Sequence, residues 1–255
     1  MARIGILGVG HLARLMVRGW QGAGHTFMLS PRGAETAQML ADQFGAKVAA
    51  SNQEVIDQSD AVFVSLPAAT GIAELAGLTF RAGQPVLSAM AGSGLSRLNA
   101  AIGPARGAVC MMPGYANAYR VGPSILFPRD DFWAEVLSFV GPVHVLENEE
   151  KFTLAATFGA LSGASIGWMA HVIEWYVDQG LDLRTAKALV AGTLRGNAEV
   201  LLQEACSLSE ISKGVATPGG ITQQLLGVLD QRGGLEAWDE GLLSVLQRIS
   251  GKANA

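Results

Sequence analysis

The chain has 255 residues, of which 49% are hydrophobic and only 16% are charged, and its formal net charge is −4. This length suits one large domain or two small ones, and an acidic balance without a basic stripe argues against nucleic acid as a partner. Its mean hydropathy of +0.29 is high for a soluble protein, which predicts a large core or a surface covered by a second chain. The 2 cysteines and 4 histidines show no metal-ligand spacing, so neither a metal site nor a disulfide is expected.

Targeting segments are not expected either. No stretch reaches the roughly 18 uninterrupted apolar residues of a membrane span. The first residues, Met1–Leu7, lead directly into a strand-and-glycine pattern instead of a cleavable signal peptide. We therefore expect a cytoplasmic protein with no membrane partner.

Short apolar runs alternate with helical patterns through the first part of the chain. The predicted strands are residues 4–7, 26–30, 60–66, 85–89, 107–111, 124–127 and 142–146, and the predicted helices are 12–21, 35–44, 52–58 and 131–139. This alternation predicts an α/β fold, with a doubly wound, mostly parallel Rossmann-type sheet over residues 1–147.

The second part of the chain, residues 148–255, reads as all-helical. Helices are predicted at 152–179, 184–205 (capped by Asp182), 218–231 and 235–249. The first of these is apolar nearly all round, so it must be buried on most sides. A domain of this size cannot easily surround such a helix, and we therefore expect a homodimer that forms through the helical domain.

A glycine loop follows the first predicted strand. Gly8-x-Gly10-x-x-Ala13 has the spacing and the strand-to-helix context of a dinucleotide fingerprint. Gly8 allows the tight turn, Gly10 lets the backbone approach a pyrophosphate, and Ala13 lets the helix pack closely on the strand. Within the loop, Leu12 is expected beside the cofactor, and His11 could either donate to a phosphate or face solvent.

The second strand ends at Ser30, and Arg32 follows in the next turn. A site that selects NAD would place Asp or Glu there to hold the ribose hydroxyls. A hydroxyl and a guanidinium suit a 2′-phosphate, because the contact is charge-assisted and can be bidentate. This turn favours NADPH, although it could also be an ordinary turn with a solvent-facing arginine.

A second glycine-rich turn, Thr217–Thr222, is here called the acid turn. Gly219 and Gly220 free the backbone so that consecutive N–H groups can point at one anion. Pro218 suits the first turn of a helix, and Thr217 suits its N-cap. The turn is therefore a candidate seat for a small carboxylate, although helix starts often have this sequence for capping alone.

Taken in order, these features resemble the pyrroline-5-carboxylate reductase family, whose members reduce a cyclic imine to proline. The segments that carry the resemblance are Ser88–Gly92 (S-x-x-A-G), Met112-Pro113, Leu161-Ser162-Gly163, Glu174-x-x-x-Asp178-x-Gly180 and Pro218-Gly219-Gly220-x-Thr222. The likeness runs over nearly the whole chain. It implies an oxidoreductase of amino-acid biosynthesis in which a nicotinamide supplies hydride and the protein needs no strong acid–base pair.

The resemblance also implies functional residues. It adds three residues to the cofactor site, namely Leu66, Pro67 and Ala91. It places the substrate against Gly219, Gly220, Thr222, Ser162 and Gly163, with Thr222 and Ser162 as the catalytic candidates. Ser162 and Gly163 could equally serve helix packing alone.

Three departures from the family pattern lie where cofactor or substrate would bind. Leu66 replaces a lysine, Gly114 replaces an asparagine, and Ile221 replaces a threonine. They leave two alternatives open. The protein could reduce another imine or ketone of a small carboxylate, or it could be a non-catalytic dinucleotide-binding protein on the same scaffold.

Overall fold

The computed structural model describes residues 1–251, and its N-terminal part is built on one twisted sheet. The strands are β1 (Arg3–Leu7), β2 (Thr26–Leu29), β3 (Lys47–Val48), β4 (Ala61–Val64), β5 (Pro85–Ser88), β6 (Arg106–Met111), β7 (Ser124–Phe127) and β8 (Val143–Val145). Their order is β3-β2-β1-β4-β5-β6-β7-β8, and every pair is parallel except β6 and β7. The predicted doubly wound, mostly parallel sheet is confirmed.

Helices cover both faces of this sheet. They are α1 (His11–Gly19), α2 (Ala34–Phe44), α3 (Asn52–Asp57), α4 (Gly71–Ala76), α5 (Leu95–Ile102), α6 (Tyr115–Ala118) and α7 (Asp131–Ser138). Successive side chains of a strand point to opposite faces. Accordingly, Phe63 belongs to one buried cluster, while its neighbours Val62 and Val64 belong to the other. Each face of the sheet therefore has its own apolar core.

The remaining helices are α8 (Glu149–Ala155), α9 (Phe158–Asp178), α10 (Leu183–Gln203), α11 (Leu208–Val215), α12 (Ile221–Gln231) and α13 (Glu236–Ile249). Of the described residues, the compact unit with the sheet comprises Met1–Gly159 and 246–251, and the helical unit comprises Ala160–Val245. The sequence-based boundary at residue 147 marks the end of the sheet, and as a functional domain boundary it stays a prediction.

The prediction of a single helix over 152–179 is wrong, because the structure has two helices, α8 and α9, in this stretch. The α-helical ladder stops after α8, where the Thr157 N–H donates to the Leu154 carbonyl and the Gly159 N–H donates to the Ala156 carbonyl three residues back. Gly159 lies against Met111, since a Cβ at this position would be 2.9 Å from the Met111 sulfur. The predicted cap at Asp182 is confirmed, because its side chain accepts the Thr185 N–H at 3.0 Å.

Helix α9 leaves its apolar side chains unburied in the single chain. None of its residues is buried, and Ile166 and Trp175 are 61% and 55% exposed. By length and mean hydropathy alone, the segment Glu149–Asp178, which comprises α8 and α9, could cross a bilayer, but the core helix of a soluble protein passes the same test. The chain thus presents an apolar helix that needs an apolar neighbour.

One buried amide holds the turn after β6. Asn117 is fully buried, and its side-chain oxygen accepts the Gly114 N–H at 3.0 Å. Its side-chain nitrogen donates to the Gly122 carbonyl at 2.8 Å. The amide therefore satisfies two backbone groups that have no access to water, and it fixes the chain where α6 begins.

We predict that Asn117→Ala lowers the free energy of unfolding by about 2 to 4 kcal/mol, because it leaves a buried donor and a buried acceptor without partners. Denaturant titration followed by circular dichroism measures the change. The matched control, Asn197→Ala, alters an exposed helical position and should change stability by less than about 0.5 kcal/mol. Equal effects of the two changes would contradict the assigned role of Asn117.

Candidate functional site

The first candidate site lies at the carboxyl edge of the sheet. Strands β1, β4 and β5 are parallel neighbours, so the loops that follow them meet at one edge. The strand order proceeds in opposite directions on the two sides of β1. In open α/β sheets, ligands bind at the carboxyl ends of the strands at such a switch point.

The glycine loop turns tightly at this edge. Gly8 has a φ of +89°, and a Cβ there would lie 2.6 Å from the Ser65 carbonyl group at the end of β4. The Ser65 hydroxyl donates to the Gly8 carbonyl at 2.8 Å, and the Gly10 N–H donates to the same carbonyl at 3.0 Å. Only glycine fits at position 8, because both the space and the left-handed backbone exclude a side chain.

The start of α1 is open to an anion. The first intrahelical bond runs from the Arg14 N–H to the Gly10 carbonyl, so the N–H groups of residues 11–13 have no intrahelical partner. Among the described residues no side chain caps this helix, and a Cβ at Gly10 would meet nothing within 4 Å. Open space and convergent N–H groups at a helix N-terminus suit a pyrophosphate.

The turn after β2 packs directly on the glycine loop. Gly33 has a φ of +80°, and a Cβ there would lie 2.4 Å from the Val9 carbonyl oxygen. The Ser30 N–H donates to the Ile6 carbonyl at 2.9 Å, which continues the pairing with β1. These contacts hold the end of β2 beside the loop that would carry the phosphates.

Four polar side chains, Ser30, Asn52, Glu74 and Arg32, form a chain of hydrogen bonds that we call the ribose cluster. The Ser30 hydroxyl donates to Asn52 Oδ1 at 2.6 Å, and Asn52 Nδ2 donates to Glu74 Oε1 at 2.8 Å. Arg32 Nη1 donates to the same Glu74 oxygen at 2.8 Å. Ser30 is fully buried, so its hydroxyl orients Asn52, and any influence of Ser30 on a 2′-phosphate would act through that amide.

The other predicted cofactor residues differ in how they could act. Ala13 is fully buried, as close packing of α1 on the sheet requires. The Leu66 side chain is buried in the core, so only its backbone borders the glycine loop. Pro67 and Ala91 are exposed in the loops after β4 and β5.

Two further residues of the glycine loop complete the edge. Leu12 is half-buried. His11 is exposed, and its ring meets the Tyr115 ring edge-on, with the two centroids 5.0 Å apart. The aromatic contact positions the imidazole at the mouth of the loop, beside the open end of α1.

The acid turn belongs to the helical unit, and its helix starts later than predicted. Helix α12 begins at Ile221 with Gly220 as its N-cap, so the predicted roles of Thr217 as the cap and Pro218 as a first-turn residue are wrong. The Gly220 N–H donates to the Thr217 carbonyl at 2.9 Å, and Gly219 has a φ of +76°. Residues 217–220 therefore form a β-turn that ends where the helix starts.

The acid turn leaves a short row of unpaired backbone donors. Gln224 is the first residue that donates to the Gly220 carbonyl, so the N–H groups of residues 221–223 have no intrahelical partner. The Gly219 N–H is different, because it donates to the Gln223 side chain at 2.6 Å. Gly219 thus shapes the turn, and the carboxylate seat would consist of the helical N–H groups and the half-buried Thr222.

The two candidate substrate residues on α9, Ser162 and Gly163, are accessible, but the cavity beside them is apolar. A Cβ at Gly163 would meet nothing within 4 Å, and Ser162 is half-buried. The adjacent cavity, about 370 Å³ between α9 and α13, is apolar and is lined by residues that include Leu161, Ala164 and Trp238. It suits apolar side chains better than a carboxylate.

Cysteine chemistry has no place at the carboxyl edge. Cys110 lies in β6 and is buried, and this burial raises the pKa of its thiol. The thiol therefore stays protonated at neutral pH and is a poor nucleophile. The edge offers backbone donors and the polar and charged side chains of the ribose cluster instead.

Comparison with known proteins matches this two-part arrangement. Residues 3–92 match the family model described as NADP oxidoreductase coenzyme F420-dependent, and residues 153–251 match the model for pyrroline-5-carboxylate reductase dimerisation. A pyrroline-5-carboxylate reductase of Pseudomonas aeruginosa is 26% identical, over 97% of this chain and 95% of its own length.

Two solved structures share the fold. One is a 1-pyrroline-5-carboxylate reductase of Streptococcus pyogenes, with a TM-score of 0.87, 22% identity and coverage of 98% of each chain. The other is a pyrroline carboxylate reductase of Plasmodium falciparum with NADP bound, with a TM-score of 0.86 and 14% identity, covering 99% of this chain and 98% of its own.

Fold and carboxyl-edge geometry together define an NAD(P)-dependent oxidoreductase with a Rossmann-type domain and a helical dimerisation domain. Within that class, the chain is similar to the pyrroline-5-carboxylate reductases over nearly its whole length, and its residues 153–251 match their dimerisation domain.

Sequence reasoning missed three residues of the carboxyl edge: Ser65, Asn52 and Glu74. Asn52 follows Ser51, whose side chain caps α3. This N-cap residue predicts where the helix starts, but it does not predict which way the Asn52 side chain points. Glu74 lies on α4, a short helix that the periodicity did not predict. Both side chains reach Ser30 and Arg32 only through the tertiary fold.

We predict opposite outcomes for Ala at the two fingerprint glycines. Gly8→Ala should destabilise the protein by about 2 kcal/mol or more, because the new Cβ meets Ser65 in a left-handed backbone. Gly10→Ala should change the free energy of unfolding by less than about 0.5 kcal/mol. It should nevertheless weaken the binding of a reduced nicotinamide dinucleotide about tenfold, which corresponds to about 1.4 kcal/mol. Thermal unfolding and fluorescence titration measure these effects. Unchanged binding by Gly10→Ala would remove the loop from the cofactor site.

Proposed function

We propose that the protein is an NADPH-dependent reductase of a cyclic imino acid, most simply the reduction of 1-pyrroline-5-carboxylate to proline. The observation that carries the proposal is the pairing of an open glycine loop on α1 with a separate carboxylate seat on α12. The family match supports the substrate class. The NADP bound in the Plasmodium structure supports the cofactor.

The residues at the carboxyl edge fit a dinucleotide. The N–H groups at the start of α1 would bind the pyrophosphate, and the absence of a side chain at Gly10 gives it room. Arg32 and Asn52 of the ribose cluster would bind the 2′-phosphate, since the first offers a charged donor and the second a neutral one. When bound, NADPH supplies the hydride for the imine carbon.

The acid turn would bind the substrate through its carboxylate. The unpaired N–H groups of residues 221–223 and the Thr222 hydroxyl are donors of the kind that hold small anions at helix starts. Ile221 is 87% exposed and its side chain has no hydrogen-bond donor, so the seat has one hydroxyl fewer than the family's usual pair of threonines. This chain's role is to orient the acid and exclude water, because a protonated imine is already electrophilic.

The helical domain would complete the site as a homodimer. The exposed apolar surface of α9 and the match to a dimerisation model support a second copy of the chain as its neighbour. A soluble homodimer would cover the stretch that otherwise resembles a membrane span, and we therefore propose a cytoplasmic enzyme. Ser162 and Gly163 would then lie where partner and substrate approach α9.

We predict that the purified protein oxidises NADPH in the presence of 1-pyrroline-5-carboxylate and forms proline. Assays run in parallel with 1-piperideine-2-carboxylate, at matched concentrations, separate the two candidate substrates. Faster turnover of the six-membered imine would favour the alternative of a related reductase. Binding of NADPH without turnover of either imine would support the non-catalytic alternative and contradict the proposal.

We predict that Thr222→Ala raises KM for the imino acid about tenfold, because one hydrogen bond to a carboxylate is lost, at a cost of about 1.5 kcal/mol. The dissociation constant of NADPH should change less than about twofold, since Thr222 contacts only the acid. Thr222→Ser keeps the hydroxyl and should restore most of the lost affinity. An unchanged KM in Thr222→Ala would exclude the acid turn from the substrate site.

A further inference from the structure

We propose that Glu74 sets the dinucleotide selectivity of this enzyme. Its carboxylate holds the Arg32 guanidinium and the Asn52 amide, and in doing so it opposes a 2′-phosphate and favours a free ribose. This inference rests on the proposed dinucleotide site at the carboxyl edge. It further predicts that the site binds NADH as well as NADPH, with dissociation constants that differ only a little.

The geometry makes Glu74 the centre of the ribose cluster. One oxygen, Glu74 Oε1, accepts from both Arg32 Nη1 and Asn52 Nδ2, each at 2.8 Å. The Glu74 side chain is 17% exposed, whereas the Arg32 side chain is 72% exposed. Glu74 is therefore the anchored partner, and Arg32 is the one that can move.

Glu74 supplies the acidic side chain that is missing at the end of β2. NAD-selective Rossmann sites place an acidic side chain where it can accept from the ribose hydroxyls. Here Ser30 follows β2, but α4 brings a carboxylate to the same place through Asn52, whose amide connects the Ser30 hydroxyl to Glu74. An acidic group thus reaches the ribose position from a different element of the fold.

The charges at this position act in opposite directions on the two cofactors. A 2′-phosphate would be attracted by Arg32 but repelled by Glu74, and it would have to share or displace an ion pair that already exists. A free 2′-hydroxyl can donate to the Glu74 carboxylate and accept from the Asn52 amide without breaking that pair. An arginine without a carboxylate partner would favour NADPH far more strongly.

Fluorescence titration of the whole enzyme with NADPH and with NADH, without imine, tests the inference through dissociation constants alone. In the unaltered protein the two constants should differ less than tenfold. A larger preference for NADPH would overturn the inference, and this measurement needs no variant to fold.

The variant Glu74→Gln keeps the size of the side chain and an acceptor for Asn52 while removing the charge. It should bind NADPH about five times more tightly and NADH about three times more weakly. In the Arg32→Ala background, the gain in NADPH affinity should fall to about twofold, because only the direct repulsion between Glu74 and the phosphate is then removed. The control Glu35→Gln removes a nearby exposed carboxylate that has no bond to Arg32, and it should change either constant less than twofold.

Two results would overturn the role of Glu74. Weaker NADPH binding by Glu74→Gln would mean that Glu74 positions Arg32 for the phosphate, and equal changes for NADPH and NADH would mean that it acts on folding alone. Because imine is absent, a failure to reduce pyrroline-5-carboxylate leaves this test intact. A failure of the unaltered protein to bind either dinucleotide overturns both the inference and the proposed cofactor.

Discussion

The close approach of three backbone segments at the carboxyl end of β1 is the constraint on which the sheet domain's function depends. Gly8 lies against the Ser65 carbonyl at the end of β4, and Gly33, in the turn after β2, lies against the Val9 carbonyl. No side chain larger than hydrogen fits at either glycine, so the ends of β2 and β4 are held beside the N-terminus of α1. This contact brings a phosphate-binding helix start and a ribose cluster to one edge of the sheet.

The helical half obeys a different constraint, which is its lack of a core of its own. Its buried residues are few, with Ala186 and Val190 on α10 and none on α9. The free energy gained by burying apolar side chains such as Ile166 and Trp175 is available only if another surface covers them. The sheet domain therefore buries its apolar core within one chain, whereas the helical domain needs a partner surface to bury its apolar side chains.

Much of this architecture could be predicted from the sequence, for physical reasons that differ between regions. Strands such as β1 and β4 are short apolar runs between clear turns, and Gly8, Gly10 and Ala13 have a spacing that few other structures require. The turn before α12 is present as predicted, but its helix starts at Ile221 and not at Pro218. Pro218 suits either a first helical turn or a β-turn, and only the left-handed backbone at Gly219 decides between them.

The composition of the ribose cluster could not be predicted in the same way. Ser30 and Arg32 are close in sequence, whereas Asn52 and Glu74 reach them from α3 and α4. Glu74 lies on a helix of only 6 residues, which is too short to give a periodic signal. Its effect on Arg32 therefore depends on tertiary placement, which local patterns do not encode.

Hydride transfer from NADPH to the carbon of a cyclic imine is tested most directly by isotope transfer. The enzyme would be incubated with 1-pyrroline-5-carboxylate and NADPH deuterated at C4 of the nicotinamide, in separate reactions for the two faces of the ring. We expect proline that is one mass unit heavier, labelled at the former imine carbon, from one of the two cofactors only. Unlabelled proline from both cofactors, or oxidised NADPH without proline, would contradict the proposed reaction.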